Sequence, residues 1–192
     1  MRKQWVGDSR DYVKWSCVYR VAGQQSIVLY VPMLRPDIFA GENLEPAVQV
    51  FFDELKSFNI FSRLFPGRFH SIEAEYTKSD SDEYFEDVLR RLIELQKQNP
   101  VVVFVDPDTG LEPISGSKDE HLQIRHFRKL ASALCSGDRI ILYQHASRDA
   151  GWRERQHQRL LGISDPNAYQ VSEPYYEPET AKDVCFFTVA RL

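Results

Sequence analysis

The chain is poor in the residues that build covalent or metal-bound frames. It has only three cysteines among 192 residues, at Cys17, Cys135 and Cys185, with no Cys-x-x-Cys spacing anywhere. Their odd number and apolar surroundings suit buried thiols and exclude a disulfide frame or a cysteine zinc site. No apolar run approaches the roughly 20 residues needed to cross a bilayer. Two basic residues open the sequence without an apolar stretch after them, which departs from a secretory signal and leads to the expectation of a cytoplasmic protein without a membrane span. There is no excess of positive charge either. The net charge of −4 argues against indiscriminate nucleic-acid binding, although a local basic patch is compatible with it. Repeats and low-complexity linkers are also missing, so residues 1–192 are expected to form one domain.

What is present is a well-stocked core. Hydrophobic residues make up 43% of the chain and charged residues 27%, with twelve Phe and nine Tyr among the large side chains. The most informative stretch is Val101 to Pro113. Five consecutive apolar residues, four of them β-branched, fit a strand buried on both faces of a parallel sheet. Asp106 ends that strand. Pro107 and Gly110 then turn the chain out, in a short stretch that gathers Asp106, Asp108 and Glu112. In open α/β sheets, ligands bind outside the carboxyl ends of the strands.

The periodicities elsewhere predict alternating helices and strands. Helices are expected over Asp11 to Ala22 with Ser9 as cap, Glu45 to Phe58, Ser81 to Gln98, after a Ser117/Glu120 capping box, and over Gly151 to Leu161. Strands are expected over Ser26 to Leu34, Phe69 to Thr77, Val101 to Val105, Arg139 to His145, Tyr169 to Val171 and Val184 to Ala190. This order predicts an α/β fold: a three-layer αβα Rossmann-like sandwich, its central sheet mostly parallel, with an antiparallel pair at the C-terminal edge.

Asp11 and Lys14 share a helix face at i, i+3, just after Gly7 and Asp8. His145 follows a buried strand and is expected at the same sheet edge as Asp106. Asp8 or Asp11, Lys14, Asp106, Asp108 and His145 are therefore expected to face one pocket. Asp106 is read as an exposed carboxylate outside the core, replaceable by Asn with little change in stability. A basic segment follows His145. Its Arg148, Arg153 and Arg155 present planar forks suited to phosphate, so nucleic acid, DNA or RNA, is the expected partner.

The Gly-Asp-x-x-Asp-x-x-Lys segment from Gly7 to Lys14, the Asp106-Pro107 strand end and the terminal strand pair resemble Rossmann-type S-adenosylmethionine-dependent methyltransferases, in particular adenine-N6 ribosomal-RNA methyltransferases. The resemblance implies S-adenosylmethionine as cofactor, held near Asp8, Asp11 and Lys14. It also implies Asp106 contacting a target amine, with Asp108, Lys14 and His145 as further catalytic candidates. Asp108 and Thr109 depart from that family's Pro-aromatic continuation. Pro32-Met33-Leu34 stands where its Gly-x-Gly turn would be. The run from Asp106 to Pro113 with Tyr143-Gln144-His145 also resembles a bacterial and phage protein family.

Two other readings stay open. Asp-x-Asp after an apolar strand is similar to haloacid-dehalogenase-type phosphatases. A magnesium-dependent nuclease or phosphatase would then use Asp106, Asp108 and Glu112 as ligands. A non-catalytic binding module on the same scaffold is the third reading.

Overall fold

The computed structural model describes residues 9–34, 58–114, 116, 118, 121–147 and 150–192. Its helices are α1 (Ser9–Ala22), α2 (Ser81–Gln96), α3 (Ile124–Ala133) and α4 (Trp152–Ile163). Its strands are β1 (Ile27–Val31), β2 (Phe69–Ser71), β3 (Val101–Val105), β4 (Gly110–Leu111), β5 (His121–Leu122), β6 (Arg139–His145), β7 (Tyr169–Val171) and β8 (Val184–Arg191).

Six of the strands form one sheet in the order β2-β1-β3-β6-β8-β7. The first four run parallel and β8 is antiparallel to both of its neighbours. β3 is interior, paired with β1 from Ile27↔Val101 to Val31↔Val105 and with β6 from Val102↔Arg139 to Val105↔Leu142. The mostly parallel Rossmann-like α/β fold and its antiparallel edge pair are therefore as the sequence predicts.

Period-two alternation divides the buried strands between two cores. Leu29, Val31, Val103, Val105, Leu142 and Phe187 pack beneath α2, α3 and α4, among Phe85, Leu92, Phe127 and Trp152. Val28, Tyr30, Phe104, Tyr143 and Phe186 face α1, which meets them with Val13, Trp15 and Val18.

Several local expectations change. The strand expected over Phe69 to Thr77 is paired only as far as Ser71, with a single further bridge between Leu34 and Glu75, because Pro32 ends its partner β1. The two-residue pair β4–β5 was not foreseen from the sequence. Ser117 and Glu120 of the expected capping box lie outside the described residues, and α3 begins later, at Ile124. There Glu112 accepts the Ile124 N–H through Oε1 at 2.7 Å, so the cap comes from the preceding turn. The helix expected over Glu45 to Phe58 also lies outside the described residues, except for Phe58, the first residue of a 3-10 segment, Phe58–Arg63.

The amino-terminal edge of the sheet is held by one buried carboxylate. Asp138 accepts the Val101 N–H at 2.7 Å, the Cys135 N–H at 2.7 Å and the Gln96 side-chain amide at 2.6 Å. It ties the end of α2, the turn after α3 and the starts of β3 and β6 together. Asp138→Ala strands buried donors. It is expected to lower unfolding free energy by about 3 kcal/mol with an unchanged urea m-value. A loss below about 1 kcal/mol would show that these bonds are readily replaced by water.

Candidate functional site

The chain leaves β1 to build on one side of it, toward β2, and then crosses to β3 on the other. The strand order therefore reverses between β1 and β3, the position at whose carboxyl ends open α/β sheets take ligands. Three motif residues meet there. Lys14 of α1 lies 2.8 Å from Asp11 Oδ1 and 2.9 Å from Asp106 Oδ2, and the Tyr30 hydroxyl donates to the same Asp106 oxygen at 2.7 Å. The backbone continues the pairing, since the Asp106 N–H donates to the Val31 carbonyl at 2.9 Å.

Local sequence explains the convergence. Asp106 follows β3 in the parity of Val102 and Phe104, the residues that face α1, and Tyr30 shares that face from β1. Aromatic rings wall the cluster. Tyr30 stacks on Phe104 at 5.3 Å between centroids, the Trp15 edge meets Tyr30 at 5.1 Å, and Lys14 Nζ lies 5.4 Å from the Tyr143 ring centroid.

The electrostatics follow from burial. Asp106 is 1% exposed, Lys14 5% and Asp11 6%. Burial opposes a charged Lys14, but the carboxylates of Asp106 and Asp11 outweigh it and hold the ammonium above its ordinary pKa. At Asp106 burial dominates and pushes the carboxyl above the usual range, although Lys14 and Tyr30 pull the other way. The same burial and the Asp106 charge raise the Tyr30 phenol well above its ordinary value. The expectation of an exposed Asp106 is thus corrected: it is a core carboxylate whose Oδ2 already accepts two protein donors.

The remaining candidates fall in different places. His145 points Nε2 at Asp183 Oδ2, 3.3 Å away, and not at Asp106, while its Nδ1 lies 3.2 Å from the Ala146 carbonyl. Arg10 of α1 holds Asp183 through Nε at 3.1 and 3.3 Å. That hydrogen bond keeps the Asp183 carboxyl below its ordinary pKa against partial burial. Through neighbouring residues, Arg10 and Asp11, the first turn of α1 serves both clusters. Asp108 is half-buried in the turn beyond Asp106. Asp8 and Arg148 lie outside the described residues.

Glu112 is committed to the α3 cap, and among the described residues no group of three or more His, Cys, Asp or Glu is arranged to hold a metal ion. The reading of Asp106, Asp108 and Glu112 as a magnesium site finds no support in this arrangement. Of the arginines after His145, Arg153 and Arg155 have partners within the chain. The Arg153 guanidinium lies 4.5 Å from the Trp152 ring and 4.6 Å from that of Tyr176 and donates to the Lys182 carbonyl, while Arg155 donates to the Ala150 carbonyl at 2.7 Å.

Sequence reasoning missed Tyr30, Arg10 and Gln144. Gln144 pins the turn beyond Asp106: its Oε1 accepts the Leu111 N–H at 3.0 Å and its Nε2 donates to the Thr109 carbonyl at 2.9 Å. The turn passes so close that a Cβ on Gly110 would sit 2.3 Å from Gln144 Oε1, and Gly110 has φ 109°. A second unusual φ, 45° at Met33, stands just past β1, where the Met33 N–H donates to the Tyr84 hydroxyl at 3.3 Å.

No family model matches the sequence, and no curated protein does. Among solved structures, a Streptococcus mutans protein provisionally assigned as a methyltransferase, in complex with SAH, aligns over 94% of this chain and 97% of its own at 9% identity and TM-score 0.42. A provisionally assigned rRNA-methylase of Clostridium thermocellum aligns over 97% and 99% at 12% identity and TM-score 0.40. TM-scores and identities this low carry no weight for the chemistry.

The cluster predicts an asymmetry between its members. Lys14→Met leaves two buried carboxylates uncompensated and is expected to lower unfolding free energy by about 3–5 kcal/mol. Asp106→Asn leaves Lys14 paired with Asp11 and keeps an acceptor for Tyr30, so it is expected to cost only about 1–2 kcal/mol. Urea denaturation of both variants tests this, and an equal or reversed order would contradict the geometry.

Proposed function

We propose that this protein is an S-adenosylmethionine-dependent methyltransferase whose cofactor lies across the carboxyl ends of β1 and β3. The observation that supports the reading most strongly is the convergence of Asp11, Lys14 and Asp106 at the strand-order reversal between those strands. All three are among the residues that carry the resemblance to adenine-N6 methyltransferases, although Asp106 stands far from the other two in sequence. The acceptor is an amine-bearing group, and nucleic acid is the acceptor class the Asp-Pro turn implies.

The described residues fit such a cofactor at two points. Glu73 and Glu75 are exposed just past β2, and the Leu34–Glu75 bridge keeps them beside the end of β1. A carboxylate near the end of the second strand suits the hydroxyls of a ribose. Met33, just past β1, adopts the positive φ that glycine usually supplies, at the place where a Gly-x-Gly turn would stand. S-adenosylmethionine, when bound, supplies an electrophilic methyl group. The chain's part is to bind, orient and exclude water.

Within that reading Lys14, Tyr30 and Asp106 are positioning residues. Their buried network fixes the end of β3 and the turn that follows. Asp108 is less buried than Asp106, which supports assigning it to an acceptor amine. Gln144 and Gly110 hold the far side of the same turn.

Thermal melting in the presence of S-adenosylmethionine, S-adenosylhomocysteine, NAD or MgCl₂ tests the proposal. Ligand at 100-fold its Kd adds about 2.7 kcal/mol, which is expected to raise Tm by about 5–10 °C for the first two alone. The Glu73→Ala/Glu75→Ala variant should lose most of that rise. No shift with either adenosyl ligand, or a rise with NAD only, would overturn the assignment.

A further inference from the structure

On the face of the molecule formed by α2 and α3, away from the strand-end crevice, the two helices leave an open groove of about 960 Å³ between them. α2 lines it with Glu86, Leu89, Arg90 and Ile93, spaced i, i+3, i+4 and i+7 so that they share one stripe. α3 lines it with Arg125, Arg128, Lys129, Ser132 and Ala133, which form a second stripe. Its floor is aliphatic: Leu89 and Ala133 are half-buried, and Ile93 is 53% exposed. Its rim is basic. Four cations line the groove, three of them paired with the rim carboxylates Glu86, Asp82 and Asp87, so that Arg128 supplies the local excess of positive charge.

The groove has rigid walls. His126 is buried beneath it, stacked on Phe85 at 4.4 Å, with Nε2 3.0 Å from Asp82 Oδ1. Further along, Gln96 of α2 donates to the Ala133 carbonyl at 2.8 Å. The rim pairs, Lys129–Glu86 at 3.1 Å, Arg125–Asp82 at 3.0 Å and Arg90–Asp87 at 2.8 Å, are exposed, and such pairs exchange easily for those of an incoming partner. Arg128 is exposed and makes no ion pair among the described residues.

We infer that this groove is a docking site for an acidic amphipathic helix of a partner protein. Charge complementarity and the aliphatic floor together select that occupant. A phosphate backbone would use the cations but leave Leu89, Ile93 and Ala133 in water, and the lining offers no aromatic ring for a base to stack on. An amphipathic helix sets apolar residues at i, i+3, i+4 and i+7 on the floor while Asp and Glu beside them meet Arg90, Arg125, Arg128 and Lys129. The groove is separate from the crevice between β1 and β3, so docking there does not depend on the methyl-transfer reading.

Selection from a random 16-residue peptide library displayed on phage, against the folded full-length chain, tests the inference. The expected result is enrichment of peptides with aliphatic or aromatic residues at helical spacing interleaved with Asp and Glu. A synthetic copy should bind at least tenfold more weakly to Ile93→Asp and to Arg128→Glu, both surface changes, with circular dichroism confirming that each variant folds. A same-composition scrambled peptide should bind at least tenfold more weakly to the parent. Single- and double-stranded DNA and RNA oligonucleotides form a separate arm. Overturning results are no enrichment, enriched peptides lacking acidic residues, affinity unchanged in both variants, or oligonucleotide binding that Arg128→Glu abolishes.

Discussion

One buried ammonium, Lys14, sits between two buried carboxylates, and the carboxyl edge of the sheet is arranged around it. Its contacts of 2.8 Å to Asp11 and 2.9 Å to Asp106 join the first helix to the end of the central strand. Burying three ionisable groups is expensive, and the arrangement persists because each charge has a partner and Tyr30 donates an additional bond. The consequence is geometric. α1 cannot slide along the sheet without separating Lys14 from Asp106, so its first turn is fixed over the ends of β1 and β3. That turn also carries Arg10, which holds Asp183 and through it His145. Two clusters that look unrelated in sequence therefore share one helix.

The opposite edge of the sheet uses a different device for the same purpose. Asp138 collects backbone and amide donors in place of a cation and closes the starts of β3 and β6. Between the two edges, β3 contributes Val101 to Val105, buried on both sides, so its position is decided by apolar packing. The carboxylate at each end then sets where the chain enters and leaves the sheet. The amino-terminal edge is a structural tie. The carboxyl edge adds a half-buried Asp108, a turn pinned by Gln144, and exposed carboxylates past β2, all at the carboxyl ends of the parallel strands.

Legibility in the sequence followed the physics of each feature. Val101–Val105 and Arg139–His145 were readable to the residue because uninterrupted apolar runs with sharp polar ends admit one interpretation. The pairing of Lys14 with Asp11 was readable from helical spacing. Its approach to Asp106 was readable only as a shared pocket, and the direct ion pair and the burial of that carboxylate were not. Residue type favours an exposed Asp at a strand end, and only the strand parity shared with Tyr30 and the fold itself bring a cation to it. Glu112 shows the same limit in reverse: three carboxylates close in sequence suggested a metal site, yet the capping bond to Ile124 is a tertiary contact that spacing cannot reveal. Arg153 looked like a phosphate ligand by composition and is instead held between Trp152 and Tyr176.

If the region over the Lys14 cluster, between the carboxyl ends of β1 and β3, is the ligand site, an adenosyl ligand perturbs that end of the sheet alone. Methyl-labelled NMR with S-adenosylhomocysteine added stepwise addresses it most directly, because Val and Met methyl groups mark both ends of the sheet. The largest shifts are expected on Val31, Met33 and Val105, with Ile27, Val101 and Val102 nearly still. Shifts concentrated at the amino-terminal end near Asp138, or on Leu89 and Ile93 of the α2–α3 groove, or absent at saturating ligand, would contradict it.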